Sequence, residues 1–345
     1  MKNKTLNVVK KKDNMISIIF FYVIIFLGDK MKRLIITHVA DIDGMGGAIL
    51  SKLAFDNIDI VYCKNPSDLN NKLLEIYENK DLYNYDLIYI SDLSPSRELL
   101  ESLLSDSKLS NKIYLFDHHE TAFDAGLNDF DNCIVRVKDD KGTSCATQIY
   151  YEFLIKNNFL KQNSILDQFV ELVRLEDTYE YKKYNREDAH DLAILFNAIG
   201  KDEYIDRMIN KISNNDNFSF DDYELEMINN KKDITIKEVE SFLKYLKILN
   251  IEGFKVGICF IKYEYRNEVC EYLINNKSDL DCIAMFAFEN NQISLRSIKD
   301  NSSARIIAEK FGGGGHDNAA AIGLSDELKD KIVYSVFGEK RKNTL

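Results

Sequence analysis

Residues 34–44 read Leu-Ile-Ile-Thr-His-Val-Ala-Asp-Ile-Asp-Gly: a short apolar run, then His38, then Asp41 and Asp43. The arrangement recurs downstream. Residues 87–91 (LIYIS) run into Asp92, and residues 113–116 (IYLF) run into Asp117, His118 and His119. Further apolar runs occupy 58–62 and 133–137, and the intervening segments 45–55, 67–78 and 96–108 carry apolar residues at helical spacing. Strand–helix alternation of this kind predicts a parallel sheet with helices on both faces. Ligands bind such sheets beyond the carboxyl ends of the strands. The carboxylates and imidazoles at three strand ends are therefore expected along one edge.

Beyond this region the pattern changes. Residues 143–250 read as mostly helical, and 219–248 as one long, charged, exposed helix serving as an inter-domain connector. A second apolar alternation begins near Ile251, with strands expected at 255–261, 281–288 and 292–297, a helix near 303–311, a strand at 319–323 and a final helix. It describes a smaller α/β domain. No internal repeat is visible.

Length and composition set bounds. A chain of 345 residues fits two domains. Hydrophobic residues make up 45% and charged residues 29%, enough for a packed core. With prolines only at Pro66 and Pro95, a proline-rich linker is excluded. The formal net charge of -11 argues against a non-specific grip on long nucleic acid, which needs a basic surface, but allows a short oligonucleotide or nucleotide held locally. The six cysteines form no CxxC pair and are expected to be reduced, buried thiols of a cytoplasmic protein.

Residues 15–28 (MISIIFFYVIIFLG) form an apolar run behind Lys10, Lys11 and Lys12. The run is shorter than the ~20 residues a membrane span requires, and no small-residue cleavage site follows it. Codons implied by Gly28, Asp29 and Lys30 are purine-rich just ahead of Met31, as in a bacterial ribosome-binding site. Residues 1–30 are therefore expected to be translated upstream sequence, with a short hydrophobic leader acting as a membrane tether as the alternative, and no stable membrane association is expected. N-terminal sequencing of the native protein separates the two.

Any one acidic residue after a strand reads as a helix cap, and a lone histidine as a hydrogen-bonded core or surface residue. Their joint occurrence is informative: of five histidines in the chain, three fall at these strand ends, and Asp177 closes a helical stretch further on. Mixed imidazole and carboxylate ligation suits Mn²⁺, with Mg²⁺, Fe²⁺ or Co²⁺ as alternatives, and disfavours Zn²⁺ without cysteine. A carboxylate bridging two such ions would activate a water and clamp a phosphoryl group for in-line attack.

Four segments, HVADIDG from His38, SDL from Ser91, FDHHETA from Phe116 and LEDT from Leu175, resemble the four motifs of the DHH phosphoesterase superfamily, and FGGGGHDNAAA at 311–321 resembles the glycine-rich signature of its partner domain, DHHA1. The resemblance spans roughly 34–323, and DKGTSCATQIYYEFL from Asp140 is similar to a segment of the bacterial nanoRNases. It implies a Rossmann-like, parallel-sheet catalytic domain over 31–200, a helical connector over 201–250 and a smaller α/β substrate-binding domain over 251–345. It also implies that His38, Asp41 and Asp92 bind one divalent ion, and that Asp43, Asp92, His118 and Asp177 bind a second. Asp117 would orient the cluster, and His119 would face the substrate phosphate as general acid or electrostatic stabiliser. His38 precedes Asp41 by three residues, a spacing in which family members differ.

In the second domain Gly312, Gly313, Gly314 and Gly315 lack side chains, so backbone N–H groups can approach an anion. His316 follows directly, and Arg296 resembles the family's phosphate-gripping arginine. The implied function is metal-dependent hydrolysis of short oligoribonucleotides to mononucleotides in RNA degradation. Alternatives are 3′-phosphoadenosine 5′-phosphate, a linear or cyclic dinucleotide, or a non-catalytic nucleotide sensor, though a degenerate sensor should have lost ligands that are all present here. An inorganic pyrophosphatase, lacking the GGGGH domain, and a long-strand DNA exonuclease rank lower. A homodimer is left open.

Overall fold

The structure, a computed structural model, describes residues 31–338 except for 141 and 216, so the apolar run at 15–28 lies outside the described residues. The chain divides into two compact units at Ile228/Asn229. That division falls within the segment 201–250 read as a connector.

In the first unit, β1 (Arg33–His38), α1 (Ile42–Ala54), β2 (Ile58–Cys63), α2 (Pro66–Glu78), β3 (Leu87–Ser91), α3 (Arg97–Ser105), β4 (Ile113–Asp117), α4 (Glu120–Asp124) and β5 (Cys133–Val135) follow in turn. The five strands are parallel in the order β2-β1-β3-β4-β5. The inner strands β1, β3 and β4 are apolar over most of their length because both faces are covered, whereas the edge strand β2 carries an exposed Asp59. Leu34, Ile36, Ile88 and Ile90 pack with Leu69 and Leu73 of α2 and Leu100 of α3. Ile35, Leu87 and Tyr89, pointing the opposite way, pack with α1 and with the helices that follow the sheet. The strand order reverses between β1 and β3, and such a switch point opens a crevice at the strands' carboxyl ends. His38 and Asp92 sit on its two sides.

A two-stranded hairpin, β6 (Lys138–Asp139) and β7 (Gly142–Thr143), leads into α5 (Ala146–Lys156), α6 (Ser164–Asp177), α7 (Tyr181–Tyr184), α8 (Glu187–Ile199) and α9 (Lys201–Asn214). These helices share the core on the α1 face; even α9 contributes Tyr204, Ile205, Met208 and Ile212. The last strand is shorter than the run 133–137 because the chain turns into the hairpin, where Arg136 is held by both oxygens of Glu152 at 2.7 and 3.1 Å.

The expected long helix is α10 (Asp222–Leu243), shorter than 219–248. A strand, β8 (Lys247–Ile251), takes up the remainder and pairs antiparallel with β9 (Phe254–Phe260). The link is the two-residue turn Glu252-Gly253, both with positive φ (52° and 85°), the conformation whose twist matches a hairpin. A helix not anticipated from sequence, α11 (Arg266–Asn275), carries the chain from β9 to the parallel β10 (Cys282–Ala287). Then come β11 (Gln292–Ser297), α12 (Ser303–Lys310), β12 (Gly314–Gly315), β13 (Ala319–Gly323) and α13 (Asp326–Phe337), giving a mixed sheet of order β12-β13-β11-β10-β9-β8. One face packs on α12 through Leu295, Ala304 and Ile307, the other on α10 and α11 through Val239 and Val269. All six cysteines are free thiols. Among the described residues no helix is long and apolar enough to cross a membrane.

Helices α1 and α5 approach each other closely at Gly46. A Cβ on Gly46 would lie 2.1 Å from Thr147 Oγ1, and Thr147 is itself fully buried. Gly46→Ala is therefore expected to destabilise the protein by about 1–3 kcal/mol through overpacking, read as a lower urea midpoint. An unchanged midpoint would mean that the two helices do not meet as described.

Candidate metal centre

The site is assembled from loop and helix starts that the sheet brings to one edge. Asp41 is the N-cap of α1, accepting the Gly44 N–H at 3.0 Å, and Asp43 lies in that helix's first turn, fully buried. Asp92 follows β3 and hydrogen-bonds through its N–H to the Phe116 carbonyl at 3.0 Å. Its backbone is left-handed, with φ of 63°, a conformation uncommon outside glycine that stores strain at functional sites. His118 and His119 leave the end of β4, and Asp177 is the last residue of α6.

The side chains converge. His38 Nδ1 lies 2.7 Å from Asp41 Oδ2 and 3.4 Å from Asp92 Oδ2. His118 Nε2 lies 3.7 Å from Asp43 Oδ2, 3.5 Å from Asp92 Oδ1 and 3.4 Å from Asp177 Oδ2. Ligand atoms within 4.8 Å of one another form three groups: His38/Asp41/Asp92, Asp43/His118/Asp177 and Asp92/His118/His119. All six residues anticipated as metal ligands thus come together, and Asp92 offers one oxygen toward each histidine. His119 also falls within reach of this cluster, but its Nδ1 is engaged by Asp117 Oδ1 at 2.7 Å.

Several orienting contacts were not visible in the sequence. Both oxygens of Asp43 accept backbone N–H groups at the start of α5, from Thr147 at 2.7 Å and Ala146 at 2.8 Å. The N-cap position of α5 is Cys145, a weak sulfur acceptor, so a carboxylate 103 residues earlier fills the helix's donor-rich end. Asp117 Oδ1 also accepts the N–H groups of His118 and His119, at 2.7 and 3.0 Å, while Oδ2 is bonded by the Ser94 hydroxyl. His38 Nε2 faces the Lys64 carbonyl at 3.2 Å, a contact in which Nε2–H donates, so Nδ1 is the nitrogen turned toward the carboxylates and becomes a ligand for a cation once its proton is displaced. Only Ser94, two residues from the motif aspartate Asp92 and carrying a hydroxyl beyond a strand end, offered a local signal.

The donor set fits a cation. Asp92 Oδ2, His118 Nε2 and Asp177 Oδ2 are buried and make no hydrogen bond, only the ionic approaches above. Burial and the neighbouring charges of Asp43 and Asp41 push the Asp92 carboxyl well above its usual range, and burial with Asp43 does the same to Asp177. Burial opposes charge on His38, but hydrogen bonds and charge from Asp41 and Asp92 outweigh it and raise the ring to about 10. His118 is likewise raised against burial, by Asp43, Asp177 and Asp117. Such a crowd of negative charge is relieved by protons or by divalent ions. Asp117 behaves oppositely: burial is outweighed by its bonds to His119 and Ser94, and its carboxyl stays low and charged.

In the second unit, pairing of Arg296 with Ala319 brings β11 beside the turn that follows the glycines. His316 and Ala319 exchange backbone hydrogen bonds (2.8 and 3.2 Å), and Ser297 N–H reaches the Asn318 carbonyl at 3.0 Å, so Arg296 and His316 belong to one corner. The Arg296 guanidinium contacts Leu295 O and Asn267 Oδ1, and His316 is exposed. The glycines have separate reasons. Gly312 needs a φ of 76°, and a Cβ on Gly313 would meet the Ala321 carbonyl at 2.1 Å. The Gly313 N–H is given to Ala308 O.

In the metal-free site His38, His118, Asp92 and Asp177 hold protons more tightly than in the unfolded chain. Their contribution to stability is thus present at low pH and lost as pH rises, for His38 between its ordinary 6.5 and about 10. An incoming cation must displace these protons, so its affinity climbs with pH. The increase in melting temperature on adding Mn²⁺ is accordingly expected to be larger near about pH 8 than near about pH 6. An equal or smaller increase at the higher pH would show that the ion is held elsewhere.

No family model matches the chain. The oligoribonuclease NrnB of Bacillus subtilis (strain 168) is 34% identical over 304 residues, covering 86% of this chain and 74% of the relative. Among solved structures, the DHH domain of a member of the s1p family of ribosomal proteins aligns over 97% of this chain and 92% of its own, with a TM-score of 0.51 and 14% identity. The exonuclease RecJ bound to manganese aligns over 92% of each chain, with a TM-score of 0.50 and 13% identity. The fold is thus that of DHH-domain proteins, and the sequence kinship with NrnB extends through both units: the chain belongs to the DHH phosphoesterases, metal-dependent hydrolases of phosphoester bonds.

Proposed function

We propose that the protein hydrolyses short oligoribonucleotides to mononucleotides, using two divalent ions, Mn²⁺ in the first place with Mg²⁺ or Co²⁺ as substitutes. The observation that carries the reading is the place of Asp92 in two ligand groups, one with His38 and Asp41 and one with His118 and His119, His118 being grouped in turn with Asp43 and Asp177. NrnB, an oligoribonuclease, supports the choice of substrate, and RecJ, bound to manganese, the choice of metal. Bound ions in this cluster supply Lewis acidity and activate a water.

The chain's own residues do the rest. Asp117 accepts from His119 Nδ1 and keeps its ring oriented, so the opposite nitrogen, Nε2, is the one available to the substrate. As the P–O bond breaks and a water oxygen takes its place on phosphorus, the departing ribose oxygen takes the Nε2 proton of the doubly protonated His119 ring, and the proton shed by the attacking water passes to solvent, from which the ring is reprotonated. Arg296, His316 and the Gly314 and Gly315 backbone are assigned to holding a non-scissile phosphate or nucleoside, whereas the Gly313 N–H expected to join them is already given to Ala308 O.

Asp92→Asn removes the shared charge and is expected to lower kcat by more than about a hundredfold at saturating Mn²⁺, with near wild-type turnover overturning the two-ion assignment. The substrate reading is tested on a ladder of oligoribonucleotides at low and moderate salt. With a net charge of -11, extra nucleotides add repulsion. The value of kcat/KM should peak between two and about five nucleotides and then fall, less steeply as salt screens the longer strands. A flat or rising profile would favour a processive exonuclease, and activity confined to 3′-phosphoadenosine 5′-phosphate or a cyclic dinucleotide would replace the substrate.

A further inference from the structure

Directly beyond Asp177 the chain concentrates aromatic and cationic residues: 178–186 read Thr-Tyr-Glu-Tyr-Lys-Lys-Tyr-Asn-Arg. Local folding sorts them. The Thr178 and Tyr179 N–H groups close the end of α6 on the Arg174 and Glu176 carbonyls at 3.1 and 3.0 Å. Tyr179 turns the chain with a left-handed φ of 57°, unusual for an aromatic residue. In the single turn of α7 that follows, two side chains are drawn inward. Tyr181 is 2% exposed and stacks on His190 with ring centres 5.0 Å apart, and Glu180 pairs with the buried Arg174 at 2.6 Å.

What remains outside is one kind of surface. Tyr179 is 58% exposed and Tyr184 46%, and Lys182 and Lys183 are exposed between them. Lys183 Nζ lies 4.9 Å from the Tyr184 ring centre. Glu180, the acid within the segment, spends its charge on Arg174. A chain of net charge -11 therefore presents a positive, aromatic strip that starts two residues from Asp177, within about 7 Å along the backbone. Exposed aromatic residues occur elsewhere, Phe260 and Tyr245 for example, and Tyr245 has Lys244 beside it, but neither follows a metal-site carboxylate.

We propose that residues 179–184 bind the single-stranded nucleotides flanking the scissile phosphate, with a base stacking on Tyr179 and backbone phosphates meeting Lys182 and Lys183. Aromatic faces accept any base, and lysines follow a phosphate backbone without reading its sequence. The strip is only six residues long, enough for a few nucleotides. The proposal rests on the phosphodiesterase reading above and names where the rest of the substrate lies.

The test compares a pentanucleotide, a dinucleotide and bis-p-nitrophenyl phosphate as substrates of the wild type, Tyr179→Ala, Tyr179→Phe and the double variant Lys182→Gln/Lys183→Gln. For Tyr179→Ala the pentanucleotide KM should rise about tenfold or more, and well beyond any change with the small ester; Tyr179→Phe, which keeps a ring, should restore it. For the double variant, the slope of log kcat/KM against log salt on the pentanucleotide should become shallower by about 0.7 per phosphate contact removed. Equal losses on pentanucleotide and small ester, or no loss on the pentanucleotide, would rule the strip out. A wild type that cleaves no oligoribonucleotide would instead sink the substrate reading. The strip is then decided by fluorescence anisotropy of a labelled single-stranded pentadeoxynucleotide, whose binding must weaken in the same variants; undiminished binding refutes it.

Discussion

Mutual repulsion among Asp41, Asp43, Asp92 and Asp177 is the constraint around which the first unit is organised. Carboxylates gathered in a buried space cannot all ionise without compensation, and the structure compensates each differently. Asp43 receives two N–H groups from the start of α5. Asp41 takes the Gly44 N–H and the His38 ring. Asp92 and Asp177 receive no hydrogen bond on their inner oxygens, and burial leaves them the least able to hold charge. The compensation is incomplete at the atoms where a cation would sit, which separates a metal site from a structural ion-pair network.

The scaffold serves that requirement. Reversal of strand order between β1 and β3 opens the edge where His38 and Asp92 emerge. The absence of a side chain at Gly46 lets α5 approach α1 closely enough for its backbone to reach Asp43. Thr147 takes part twice, giving its N–H to the carboxylate and its hydroxyl to the Asp43 carbonyl at 2.7 Å. A packing contact and an electrostatic one are thus the same contact, and a residue added at Gly46 would disturb both.

A second tier of order surrounds the reacting groups. Asp117 spends one oxygen on His118, His119 and the His119 ring, and the other on Ser94, so the two histidines leave the strand in a fixed orientation. Charge that does not belong to the metal site is neutralised within the same helices, as in Arg174 with Glu171 and Glu180. That pairing withdraws an acid from the surface beside Asp177 and leaves lysines exposed in an otherwise acidic protein.

The sequence by itself determined the parallel sheet, because apolar runs buried on both faces alternate with helical periodicity. It also pointed to the six candidate ligands, because metal chemistry demands particular residue types at strand ends and the motif resemblance implied which of them, with Asp177 at a helix end, would form the set. It did not disclose β8, whose residues continue the charged helical rhythm until a two-residue turn with positive φ folds them back, nor α11, which the parallel pairing of β9 and β10 requires. Tertiary structure alone decided how the ligands are held. Asp43 meets Thr147 across 104 residues, His38 is fixed by a backbone carbonyl at Lys64, and Asp92 adopts a left-handed turn. Contacts to backbone atoms are indifferent to the side chain that supplies them, so they leave little trace in a sequence. Only the packed chain brings such groups within hydrogen-bonding distance.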